Sequence, residues 1–216
     1  MNPANFQVIA VCVLLFSISV NAFENSNPGN FSEGDFSGWI EKSFEGSSQY
    51  RFVETDTGRA LRASTEGKAS GLFKEVSVDL TKTPWINWSW LVENTYKNNN
   101  ERSKEGDDYP ARIYVVVSGG IFFWNTKAIN YVWASHEPKD SVWPNAYADN
   151  AKLFAVRSGD MEIGQWLKEK RNVREDLKSM FGEDITQIDV IAVMVDGDNT
   201  GQSATSYFGD IFFSEN

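Results

Sequence analysis

The stretch Ile86-Asn87-Trp88-Ser89-Trp90-Leu91-Val92 decides the fold class. Its bulkiest apolar residues fall at every second position, with Asn87, Ser89 and Leu91 between them. Successive side chains of a strand point to opposite faces, so this spacing gives one buried and one more polar face. Working outward, Trp39–Phe44, Tyr50–Thr55 and Arg59–Thr65 are short strand candidates. Glu45-Gly46-Ser47-Ser48 and Asp56-Thr57-Gly58 separate them, the second a hairpin turn with Gly at the left-handed position. Arg112–Val117 and Thr186–Val195 carry apolar residues on both parities, the pattern of central strands. Ile129–Ala134, Lys152–Val156 and Ser206–Ser214 add further strands, and Gln165–Lys170 reads either as a strand or as the lead into a helix. One helix has a clear outline: Asn172 as N-cap, Glu175 as capping-box partner, Val173, Leu177, Met180 and Phe181 on one face, and Gly182 as the stop. Strands do not alternate regularly with helices, which speaks against a doubly wound parallel sheet. The pattern predicts an all-β, antiparallel two-sheet sandwich of jelly-roll type with one short helix.

The chain of 216 residues carries 30 Asp and Glu against 20 Lys and Arg, a formal charge of -10. Nucleic-acid binding needs a basic face, so that class of partner is set aside. One Cys and one His cannot build a Cys/His zinc site. Met1–Ala22 has no charged side chain, a continuous apolar run at Val8–Phe16, and small residues up to Val20-Asn21-Ala22. That is the pattern of a cleaved secretory signal, although its start lacks Lys or Arg; an uncleaved amphiphilic anchor is the alternative. The run is too short to span a bilayer. The expectation is therefore a periplasmic or secreted protein, cleaved after Ala22, with residues 23–216 as one sandwich domain. Cys12 leaves with the signal, so the mature chain has no thiol chemistry.

Two long loops interrupt the strands, Tyr96–Pro110 and Ser135–Asp149. Loops of that length are where binding residues tend to sit. Trp124, Tyr131, Trp143, Asn145, Tyr147 and Asp149 gather around this middle third and are the candidate ligand residues. An aromatic ring stacks on the apolar face of a sugar while amides and carboxylates bond its hydroxyls. Tyr131 shares parity with Ile129 and Trp133, so those rings equally read as core; Trp143, between Val142 and Pro144, reads as the exposed one. Asp196-Gly197-Asp198-Asn199-Thr200-Gly201 matches the first half of a calcium loop, with Asp196 and Asp198 as candidate ligands of a structural calcium. The twelfth position is Tyr207 where a bidentate Glu belongs, and a plain hairpin turn uses the same residue types, which is the favoured reading. Asp107 or Asp108 is placed to pair with Arg112 and hold its loop down. His136, the only imidazole, lies in a loop without a nucleophile elbow, so it reads as a surface residue.

The runs GDDYPARIYVVVSGG (106–120), INYVWAS (129–135), PNAYADNAKLFAVRSG (144–159), GQWLKEKRNVREDLKSMFGEDI (164–185) and VMVDGDNTGQSATSYFGDIFF (193–213) resemble the bacterial domain-of-unknown-function family 3047. That resemblance implies no activity. GDFSGW (34–39) and FGDIFF (208–213) look more loosely like the first and last strands of galactose-binding-like jelly rolls, which often hold a structural calcium near their termini. The leading expectation is a non-catalytic binding module for a carbohydrate or glycan. One alternative is a glycan-active hydrolase or lyase using two carboxylates such as Asp108 and Asp149. Another is a structural or assembly protein of the envelope, docking through an aromatic patch.

Overall fold

The structure is a computed structural model that describes residues 27–121 and 125–216. The expected signal, residues 1–22, and Trp124 lie outside the described residues. In chain order the strands are β1 (Trp39–Glu45), β2 (Gln49–Thr55), β3 (Gly58–Glu66), β4 (Ala69–Asp79), β5 (Trp85–Val92), β6 (Ala111–Val117) and β7 (Lys127–Ala134). They continue with β8 (Val142–Pro144), β9 (Ala151–Ser158), β10 (Leu167–Asn172), β11 (Gln187–Asp196), β12 (Ser203–Phe208) and β13 (Phe212–Ser214). The helix α1 (Val173–Phe181) lies between β10 and β11.

Two sheets face each other, a seven-stranded one in the order β1-β4-β11-β6-β7-β9-β8 and a six-stranded one, β10-β5-β12-β3-β2 with β13 also on β5. The alternation in β5 is realised: Ile86, Trp88, Trp90 and Val92 are buried, and Trp85, Asn87, Ser89 and Leu91 are half-buried on the other face. Across the sandwich Trp88 stacks on Tyr131 with centroids 5.5 Å apart, and Trp90 meets Trp133 edge-on at 6.0 Å. Each large ring brings 150–250 Å² of surface, so these pairs anchor the core. Val115, Ile191 and Val193 fill it from the central strands.

The helix forms as its sequence dictates. Asn172 Oδ1 accepts the Glu175 N–H at 3.1 Å, Val173 and Leu177 are buried, and Gly182 closes the helix at φ 72°. One feature departs from the antiparallel expectation: β7 and β9 pair parallel. The connection after β7 contains β8, which pairs antiparallel with β9. A parallel pair needs a crossover of about a dozen residues or more, and the long loop supplies it.

Residues of β7 that point away from the main core are also covered. Val132 and Ala134 pack with Tyr109, Trp143, Leu153 and Ala155 in a second, smaller apolar cluster. The two long loops therefore fold down onto the outer face of the larger sheet, covering its β7-β9-β8 half.

Candidate functional site

Glu101 ties the two loops together. Its buried carboxylate accepts the backbone N–H of Ser135 at 2.7 Å, His136 at 2.9 Å and Glu137 at 2.7 Å. Its main-chain oxygen accepts the Tyr109 hydroxyl at 2.9 Å and the Trp143 indole N–H at 3.2 Å. Burial pushes the Glu101 carboxyl above its ordinary range, against the pull of the three amides. Trp143 is thus only 2% exposed, where the sequence suggested an exposed ring. The reason is local: Val142–Pro144 forms β8, and the indole turns under the loop toward Glu101.

Beside this clamp lies an ionic cluster built on Arg112. Its guanidinium donates through Nε to Asp196 Oδ1 at 2.9 Å and through Nη2 to Asp196 Oδ2 and to the Asp107 main-chain oxygen. Asp107 Oδ2 stands 3.7 Å from Nη1, and the Tyr109 ring lies 4.3 Å below the guanidinium. The expected pairing of Arg112 with its own loop is present through Asp107, but the bidentate partner is Asp196. Asp108 instead accepts the N–H of Asn199 at 3.2 Å and of Thr200 at 2.6 Å, holding the 196–201 turn. Burial pushes Asp107 up to about 6, opposed by Arg112. Burial raises Asp196 and Asp198 as well, again against Arg112.

Two segments read separately in the sequence converge here. Asn145 donates to the Asp107 carboxylate at 3.3 Å, and Asn199 donates to the Tyr147 hydroxyl at 3.0 Å. Asp149 is exposed nearby in sequence, and Tyr131 is buried in the main core with its hydroxyl on Asp176 at 2.8 Å. Asp108, Asp196 and Asp198 bring ligand oxygens within 4.8 Å of one another. The set fits a guanidinium better than a calcium ion. Both Asp196 oxygens face Arg112 and both Asp108 oxygens face backbone N–H, which leaves Asp198 alone uncommitted. Calcium takes six to eight oxygens, so no step is assigned to a metal here.

The β1-β4-β11-β6 half of the same outer face carries a strip of rings that sequence reading missed. Phe44 and Phe73 lie 6.1 Å apart, and Phe73 and Tyr114 6.2 Å apart, all three half-buried. Register explains the strip: Phe73 and Tyr114 both oppose Ala192, whose small, fully buried side chain lets the two rings close over it. Lys42 Nζ stands 5.8 Å above Phe73, and Ile40, opposite Phe73, is 63% exposed. Gly71 lets the Phe73 ring lie close against the sheet, since a Cβ there would come within 2.8 Å of the ring. At the far end Arg112 donates to the Tyr114 hydroxyl at 3.1 Å, joining strip and ionic cluster. Asn130, opposite Tyr114, keeps a buried Oδ1 with no protein partner. The signal for this strip was the outward parity of Lys42-Ser43-Phe44 and Gly71-Leu72-Phe73, legible only once the strand order is known.

The model of a family described as "Protein of unknown function (DUF3047)" matches residues 37–212. The chain belongs to that family. No curated protein matches this DUF3047 member. Among solved structures, the cellulose-induced protein Cip1 superposes with a TM-score of 0.51 at 9% identity, over 87% of this chain and 96% of that one. A non-crystalline cellulose specific carbohydrate-binding module, CBM28, gives 0.49 at 11% identity, over 88% and 94%. A family 11 carbohydrate-binding module of Clostridium thermocellum gives 0.47 at 11%, over 87% and 94%. These are likenesses of fold. Among the described residues, no helix is long and apolar enough to cross a membrane.

Proposed function

We propose that this DUF3047 protein is a non-catalytic glycan-binding module whose ligand lies on the outer face of the larger sheet. The carrying observation is the half-buried strip Phe44–Phe73–Tyr114, which no described loop seals, while loops seal the other half of the same face. Half-buried rings offer flat apolar faces, which suit the C–H face of a pyranose. Asp149, exposed on the adjoining loop, supplies a carboxylate partner for sugar hydroxyls, while Asn145 and Tyr147 hold that loop in place through Asp107 and Asn199. Trp143 supports that loop from beneath. Neutral glycans suit this face, because the neighbouring cluster is dominated by carboxylates. An acid–base role for Asp108 and Asp149 finds no support: Asp108 is fully buried and spent on two amides, while Asp149 is exposed.

The experiment is a glycan array with the parent chain, followed by titration of the strongest neutral ligand against Phe73→Ala and Tyr114→Phe. Losing a stacked ring should weaken binding by about 1–3 kcal/mol. Tyr114→Phe keeps the ring and should bind nearly as the parent does. Parent-like affinity for a folded Phe73→Ala variant would place the ligand elsewhere.

A further inference from the structure

The opposite side of the sandwich carries arginines that form no ion pair among the described residues. Arg59, Arg102, Arg112, Arg157, Arg171 and Arg174 each hold a carboxylate. Among the described residues the remaining arginines, Arg51 and Arg62, have no carboxylate partner, and they are direct cross-strand neighbours in β2 and β3. Both point outward, since Leu61 and Ala63 on either side of Arg62 are buried in the core. Like charges directly opposite each other destabilise an antiparallel pair. Among the described residues Arg62 meets neutral oxygens, donating to Ser64 Oγ at 2.9 Å and Thr205 Oγ1 at 3.3 Å and interacting with the Tyr207 hydroxyl.

The same row continues across the sheet from Arg62 to Tyr207 on β12 and Leu91 on β5. Trp166 stands edge-on to Tyr207 with centroids 6.4 Å apart. Tyr207 donates its hydroxyl to Glu93 at 2.6 Å, which fixes the ring beside the arginines. Lys168 and Lys170 are exposed on β10 and oppose Ser89 and Asn87, on the same outward face. Lys170 Nζ lies 4.9 Å over the half-buried Trp85. Trp85 and Leu91 are six residues apart, so the aromatic and cationic positions extend over about 20 Å of strand.

We infer that this outward face of the six-stranded sheet is a second binding surface, for a chain of acidic sugars bearing carboxylates. Guanidinium forks match carboxylates in a planar, bidentate geometry, which a pair of adjacent arginines offers twice. The rings of Tyr207, Trp166 and Trp85 give stacking surfaces for the sugar bodies. Half-buried rings lie within the sheet surface instead of protruding, which favours a stacked polysaccharide over insertion into a lipid layer. A chain at -10 overall would repel such a polymer everywhere except where its cations gather.

The test uses the full chain and polygalacturonate, with a neutral glucan alongside, followed by calorimetry at two salt concentrations. The parent should bind polygalacturonate, and more weakly at higher salt. Arg51→Gln/Arg62→Gln should weaken that binding at least about tenfold, equivalent to roughly 1.4 kcal/mol. Its melting temperature should not fall, because the repulsive pair is relieved. Phe73→Ala should leave polygalacturonate binding intact, so failure of this surface and failure of the proposed glycan face are read separately. Absence of polygalacturonate binding by the parent, or parent-like affinity in the double variant, would overturn the inference. So would binding confined to anionic lipid vesicles.

Discussion

Replacing Arg112 with Met tests the ionic cluster that organises one end of the larger sheet. The Arg112 side chain is 3% exposed and Asp196 4%, so the pair is sealed from water. Methionine keeps much of the stem volume while removing the charge, the bidentate contact to Asp196 and the bond to the Tyr114 hydroxyl. Breaking a buried pair by deleting one partner costs about 3–5 kcal/mol, because an uncompensated charge stays behind. A domain of this size loses about 2–4 °C of Tm per kcal/mol, so a fall of about 6–20 °C is expected at neutral pH. Equilibrium unfolding in urea, with calorimetry in parallel, measures it. The loss should shrink as pH falls, since Asp196 and Asp107 can then neutralise themselves by taking up protons. Adding Asp196→Asn should recover part of the deficit, because the orphaned charge is gone. A loss under about 1 kcal/mol at neutral pH, with no change in pH dependence, would refute the assignment of this cluster as a sealed ion pair.

The pH dependence of the parent follows from the same residues. Asp107 has its ordinary value of 3.8 when unfolded and about 6 when folded, so its contribution is fully present below 3.8 and is lost as pH rises through about 6. Unfolding titrations of Asp107→Asn should show a flatter profile across that window, and an unaltered slope would argue against Asp107 as its source. Glu101→Gln turns one acceptor into a donor facing backbone N–H groups and should cost about 1–3 kcal/mol. Hydrogen exchange should report faster exchange at Ser135, His136 and Glu137, with unchanged protection there counting against the clamp. Millimolar calcium should leave the parent's melting temperature unchanged, because the Asp108 and Asp196 oxygens already hold protein donors; a rise of several degrees would reinstate the turn as a calcium site.

Much of the sandwich could be read from alternation alone. The β5 pattern and the mixed parity of β6 and β11 follow from how many faces each strand buries. The helix was legible from Asn172 to Gly182 because caps act within a few residues of the chain. The parallel β7–β9 pair was not, because alternation carries no direction of pairing. The site divides in the same way. Asn145, Tyr147 and the 196–201 turn were recognised as polar loop chemistry, but their meeting through Asn199 is set by tertiary structure. Trp143 has polar and turn-forming neighbours, which describe a loop well and its burial badly. Phe44, Phe73 and Tyr114 come from three strands, so no local window contains their alignment.

The position of β11 has a consequence for how the protein comes into being. This strand lies between β4 and β6, yet it is made from residues 187–196, near the end of the chain. During synthesis β4 and β6 emerge long before the strand that joins them. Until residue 196 has been added, the larger sheet exists as two ribbons, each with an open edge able to pair with other chains. Closure depends on non-local contacts, the kind that form slowly. A transcript cut short before Gln187 would therefore yield an aggregating fragment, with no smaller working domain to salvage. A chain still being made stays unclosed, and its two ribbons wait on the strand that joins them.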